Sequence, residues 1–183
     1  MMGLLQNPSI TEQELSKIHH ESSQWAIFCA NFDPDLAKDI LQQSYLKIVE
    51  GKAVFKKESS LKTWMFSLIR LTSFESQRKS KSHIEESLNS TDGLYEEGET
   101  EDSNLPYLYT VEQVSKALDK LGLLQREIIY LVFYCDYPLS EIAKILDVGI
   151  GTTKSEYHRA KVRLKLILSS TQDKEVNYEE KYC

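Results

Sequence analysis

Apolar positions recur at three- and four-residue steps through most of the first 84 residues. Leu15, Ile18, Ser22, Trp25, Ala26 and Cys29 fall on one face of a helix over about 12–32. Asp33-Pro34 follows, an acid that can cap a helix and a proline suited to its first turn. The helix they open runs to about Glu50, with Leu36, Ile40, Leu41, Tyr45 and Ile48 inward, and Gly51 ends it. A basic loop, Lys52 to Glu58 with Phe55 at its centre, leads to Ser59-Ser60, either of which can cap a third helix. That helix extends to about Ser80 and buries Leu61, Trp64, Met65, Leu68 and Thr72. Trp64 and Phe66 point about 160° apart on a 3.6-residue helix. Trp64, in phase with Leu61, Met65 and Leu68, is the expected core member.

The period lapses over 85–109, where Glu, Ser, Asp, Thr and Gly dominate, and this stretch reads as a disordered linker. Its end, Leu105-Pro106-Tyr107-Leu108-Tyr109, offers aromatics that could dock on a neighbour. Thr110 and Gln113 then have the spacing of a capping box, opening a helix with Val114, Ala117, Leu118 and Leu121 inward. Gly122 breaks it. The apolar run Ile128 to Tyr134 fits a buried strand in isolation, but Gln125-Arg126-Glu127 leads into it and no partner strand is visible, so a helix is expected. Ser140 to Leu146, a short turn at Asp147-Val148-Gly149, and a last helix from about Ile150 to Leu168 make a helix-turn-helix. The expected fold is all-α. A three-to-four-helix bundle occupies 1–84, a flexible acidic linker 85–109, a four-helix helix-turn-helix domain 110–170 and a tail 171–183.

Composition agrees with that reading. Glycine (7) and proline (4) are scarce for a chain of 183 residues, at about half the usual share, which disfavours sheet-rich folds. The absence of a long apolar run and of a basic-then-apolar N-terminus argues against membrane insertion and against a secretory signal, so a cytoplasmic protein is expected. Cys29, Cys135 and Cys183 are far apart, and His19, His20, His83 and His158 show no metal-ligand grouping. With no Ser/His/Asp set or glycine-rich phosphate loop either, neither catalysis nor a cofactor or metal is expected.

The net charge of −6 hides its distribution. Residues 1–84 carry 11 basic and 9 acidic side chains, 85–113 carry 9 acids and no Lys or Arg, and 114–170 carry 9 basic and 6 acidic. An acidic strip thus separates two mildly basic blocks, and a local basic patch suffices for phosphate. The clearest patch is on the last helix. Tyr157, Ala160, Leu164 and Leu168 form its apolar stripe, flanked by Lys154, His158, Lys161 and Lys165 on one side and Thr152, Glu156, Arg159 and Arg163 on the other. Cationic flanks beside such a stripe suit a helix laid in a DNA major groove.

Ala143-Lys144-Ile145-Leu146-Asp147-Val148, with Gly151-Thr152-Thr153-Lys154-Ser155 and His158-Arg159-Ala160, is very similar to the C-terminal domain of bacterial sigma factors. The resemblance is closest to the extracytoplasmic-function (ECF) group, a sigma-70-like family, and Leu121 with Gln125-Arg126-Glu127 fits the same pattern. Asp39 to Tyr45 resembles that family's core-polymerase-binding helix, and Leu61 to Arg70 its promoter-melting helix.

The resemblance implies a factor that directs core RNA polymerase to promoter DNA, with an anti-sigma factor as a further partner. It implies that Thr152, Lys154, Ser155, Glu156, His158, Arg159, Lys161 and Arg163 meet the minus-thirty-five element. Phe55, Lys56, Lys57, Arg70, Arg78 and Lys79 would hold the minus-ten element, and Asp39, Gln42 and Gln43 would dock on polymerase. A relaxed linker of this length averages ~25–30 Å and extends to at most ~80–90 Å. Two promoter elements lie ~50–70 Å apart, so the linker spans them only when stretched.

Several positions depart from the family. Glu156 stands where the family usually carries a base; its carboxylate could accept a hydrogen bond from cytosine N4 or pair with Arg159 along the helix. Asp147 replaces a common turn glycine and should tolerate a left-handed backbone. Leu71 and Glu75 replace a common Asn and Asp. Two other readings stay open: a stand-alone helix-turn-helix regulator, and a sigma-like interaction protein without initiation activity.

Overall fold

A computed structural model describes residues 10–84 and 111–179, with side chains at 10–78 and 113–169. The linker 85–109, Thr110 of the expected capping box, Cys183 and the side chain of Lys79 lie outside the described residues. Every regular element among the described residues is α-helical, and the chain divides into two compact units.

The first unit contains α1 (Glu12–Cys29), α2 (Pro34–Val49) and α3 (Leu61–Ile84), each packed on the other two. Each start has a local cause. The Thr11 hydroxyl accepts from the Glu14 N–H, while the Glu14 carboxylate accepts from the Thr11 N–H at 2.8 Å. Asp33 accepts from the Asp35 and Leu36 N–H groups, both at 3.0 Å, and of the two candidate serines it is Ser60 that accepts from the Thr63 N–H. The end of α1 comes earlier than the periodicity suggested. Asn31 and Phe32 take positive φ, and the Phe32 N–H returns to the Ile27 carbonyl at 2.9 Å, so the chain reverses before Asp33.

Trp25, Ala26, Ala37, Ile40, Leu41, Ile48, Met65, Leu68 and Ile69 are buried in this unit, as expected for most of them. The aromatic assignment on α3 is reversed. Phe66 is fully buried, whereas Trp64 is half-buried and lies 5.3 Å from Phe55 between ring centroids. The reason is tertiary. Because α3 packs against two helices, its buried arc widens to include Phe66, which stacks on Trp25 at 5.5 Å and 4°. The Trp25 indole N–H also donates to the Phe66 carbonyl at 2.9 Å. Leu61 is likewise only half-buried. Polar ties across the bundle run from Lys47 to Thr72 and Glu75 at 3.0 and 2.7 Å, and from Lys62 to Glu21 at 2.8 Å.

The second unit contains α4 (Val111–Asp119), α5 (Leu123–Phe133), α6 (Leu139–Leu146) as far as Ala143, and α7 (Ile150–Glu179). The apolar run of α5 is a helix, with Gly122 as its N-cap. Leu121, Ile129 and Ala160 form a buried cluster, with Leu118, Tyr157 and Leu164 packed against it. Val114, expected inward, is exposed. α7 continues well past Leu168 and takes in much of the expected tail, since no glycine or proline follows to stop it.

Few glycines are needed because Asn and Asp take the left-handed positions at several helix ends. Asn31, Asp136 and Asp147 have φ of 55°, 53° and 53°. At Asp147 the Val148 N–H reaches the Ala143 carbonyl at 3.0 Å, the six-to-one bond of a Schellman stop. Asp147→Gly is therefore expected to stabilise the chain by up to about 1 kcal/mol, and Asp147→Ala to destabilise it by a similar amount. Thermal melts of the two variants check this.

Candidate nucleic-acid interface

The turn at Asp147 sets where α7 begins. The Thr153 N–H donates to the Gly149 carbonyl, and the Thr153 side chain, fully buried, also bonds that carbonyl at 3.2 Å. Burying Thr153 and Ala160 on one side turns Thr152, Lys154, Ser155, His158, Arg159, Lys161 and Arg163 outward, and all seven are exposed. Lys161 Nζ lies 5.2 Å from the Tyr157 ring centroid, so its stem follows the aromatic surface while its charge stays in water. A helix-turn-helix that presents the first turns of its second helix in this way can offer charge to phosphates and donors to base edges.

Glu156 departs from the other flank residues. Its side chain is only 18% exposed, and both carboxylate oxygens are engaged: Gln125 Nε2 donates to Oε2 at 2.8 Å, and Arg159 pairs with Oε1. The intrahelical pair with Arg159 that the spacing allowed is formed. The hydrogen bond from Gln125, followed by Arg159, holds the carboxyl below the usual carboxylate range. Nothing in the local sequence around Gln125 marks it as a partner of α7. It sits in the first turn of α5, far from α7 in the chain, and only the packing of α5 on α7 brings it to Glu156.

In the first unit, Phe55 is half-buried against Trp64, and Lys56 and Lys57 are exposed, with Lys57 at φ 62°. The Arg70 guanidinium lies 4.7 Å from the Phe74 ring centroid, and Arg78 is exposed. On α2, Asp39 and Gln42 are exposed on one face with Leu46, and Gln43 is half-buried. No helix is long and apolar enough to cross a membrane, and no cluster of potential metal ligands occurs, among the described residues.

Two helical units, one of them a helix-turn-helix with an exposed, mostly cationic row on its second helix, have the architecture of the DNA-binding, transcription-factor class. The family Sigma-70, region 4 matches residues 111–164, the span of α4 to α7 that carries this interface. ECF RNA polymerase sigma factor EcfG of Rhodopseudomonas palustris is 28% identical over 134 residues, 73% of this chain and 72% of that protein. ECF RNA polymerase sigma factor SigX of Bacillus subtilis is 25% identical over 179 residues, 93% of this chain and 92% of its own. Among solved structures, the sigma factor RpoE of Bartonella quintana, in complex with the anti-sigma factor NepR, superposes with a TM-score of 0.64 at 28% identity. That superposition covers 86% of this chain and 96% of RpoE. Over most of its length the chain is thus similar to ECF RNA polymerase sigma factors, and its second unit carries the sigma-70 region 4 match.

Proposed function

We propose that this chain directs core RNA polymerase to promoters by reading the minus-thirty-five element with the first turns of α7 and helping to open the minus-ten element with its first unit. The observation that carries the reading is the exposed row Thr152, Lys154, Ser155, His158, Arg159, Lys161 and Arg163 inside the segment that matches sigma-70 region 4. In this reading Asp39, Gln42 and Gln43 dock on polymerase. Phe55, Lys56, Lys57, Arg70, Arg78 and Lys79 hold unpaired minus-ten DNA, by stacking and by phosphate contact. The protein works by binding rather than by catalysis, in the bacterial cytoplasm where polymerase acts, and an anti-sigma factor is a further partner. The mildly basic balance of each unit supports weak DNA binding alone, with selectivity expressed in the holoenzyme.

Runoff transcription with purified bacterial core polymerase tests this. The expected result is initiation from a defined start that depends on added protein. DNA binding that neither needs nor supports polymerase would instead mark a stand-alone regulator, and partner binding without either an interaction protein.

A further inference from the structure

Glu156 is the one acid on the outward flanks of the first turns of α7, and a carboxylate facing DNA repels phosphate unless it is used for something else. Here both of its oxygens are taken. Oε2 accepts from Gln125 Nε2 at 2.8 Å, and Oε1 pairs with Arg159, three residues along the same helix. Gln125 Oε1 is buried without a hydrogen-bond partner among the described residues, so the amide is oriented by the carboxylate rather than by a second acceptor or donor. The chain of contacts runs in one direction, from the frame of the unit to its surface. Gln125 is half-buried on α5, the Glu156 side chain is 18% exposed, and the Arg159 side chain is 66% exposed.

We propose that Glu156 is a positioning residue for promoter reading: Gln125 anchors its carboxylate, and the carboxylate holds the Arg159 guanidinium in place for the edge of one base pair. This rests on the reading of α7 as the minus-thirty-five helix. An arginine reads guanine through two donors in a fixed fork, and a side chain with four rotatable bonds loses much of that selectivity when nothing orients it. Pairing one end of the guanidinium with Glu156 leaves its other N–H groups on the exposed side. The carboxylate is neutralised by the same contact, which removes the repulsion it would otherwise impose. Two residues that touch no base, one of them on another helix, thereby set the selectivity of one that does.

The test uses the full chain in holoenzyme and a set of templates, each with one base pair of the upstream element replaced. Arg159→Ala first identifies the base pair that Arg159 reads, as the position where wild-type discrimination of about fivefold or more is lost. Glu156→Ala and Glu156→Gln are then expected to lower discrimination at that base pair by about threefold, and Gln125→Met to do the same without altering α7 at all. Preference at the other positions stays as in the wild type. Added to Arg159→Ala, none of these changes should have any further effect on selectivity, because the residue they act through is gone. A purely electrostatic or structural role predicts something different: output from all templates shifts by one common factor and the preference profile is unchanged. That outcome, or an Arg159→Ala variant that singles out no base pair, overturns the proposal. Failure of the wild type to initiate on any template would instead remove the functional reading itself, and this inference with it. Glu156→Gln nearly preserves shape, so a folding defect in Glu156→Ala does not decide the result.

Discussion

Trp25→Ala is expected to destabilise the first unit by about 3–5 kcal/mol, whereas Trp64→Ala costs no more than about 1–2 kcal/mol. The difference follows from position. Trp25 is fully buried, stacks on Phe28 and Phe66 at 5.3 and 5.5 Å, and donates its indole N–H to a carbonyl of another helix. Removing it leaves a cavity where three helices meet and deletes a directional bond that ties α1 to α3. Trp64 is only partly buried. Since small domains are stable by only about 5–15 kcal/mol in total, the first variant should be largely unfolded in its N-terminal unit at modest urea concentration. The chain contains two tryptophans, so in Trp25→Ala the fluorescence of Trp64 reports on that unit directly. Far-UV circular dichroism should then retain the contribution of the second unit. Equal losses in the two variants would contradict the assignment of Phe66, rather than Trp64, to the core.

The second large effect concerns DNA. Lys154→Ala in holoenzyme is expected to weaken binding to every upstream-element variant alike and to reduce the slope of log affinity against log salt by about 0.9. Arg159→Ala is expected to cost about 1–3 kcal/mol at one base pair and little elsewhere. The two residues are both exposed and both cationic, and they differ in how they are held. Lysine is a point charge on a flexible stem, suited to a phosphate, whereas the Arg159 guanidinium is paired with the Glu156 carboxylate. Salt titrations on matched and mismatched promoter fragments separate the two. A uniform loss for both variants would leave Arg159 as a phosphate contact only.

Much of this was legible in the residues themselves. Asp33-Pro34, Ser60, Gly51 and Gly122 carry their boundary roles in their own chemistry, and each sits at the boundary it suggested. The outward row of α7 followed from a 3.6-residue period and the apolar stripe opposite it. The early end of α1 did not, because the reversal depends on Asn31 and Phe32 adopting left-handed backbone, which no apolar period records. Glu156 shows the same limit in the site: its neighbour Arg159 was visible along the helix, but its anchor Gln125 was 31 residues away in the chain.

The amino-acid pattern alone determined the helical class, the two blocks and the cationic helix, because those depend on near neighbours and on local periodicity. Packing decided which aromatic of α3 is core, since a helix with two partners buries a wider arc than its own stripe predicts. Packing also decided what Glu156 does, since a carboxylate's role depends on the groups brought within hydrogen-bonding distance, and one of those comes from another helix.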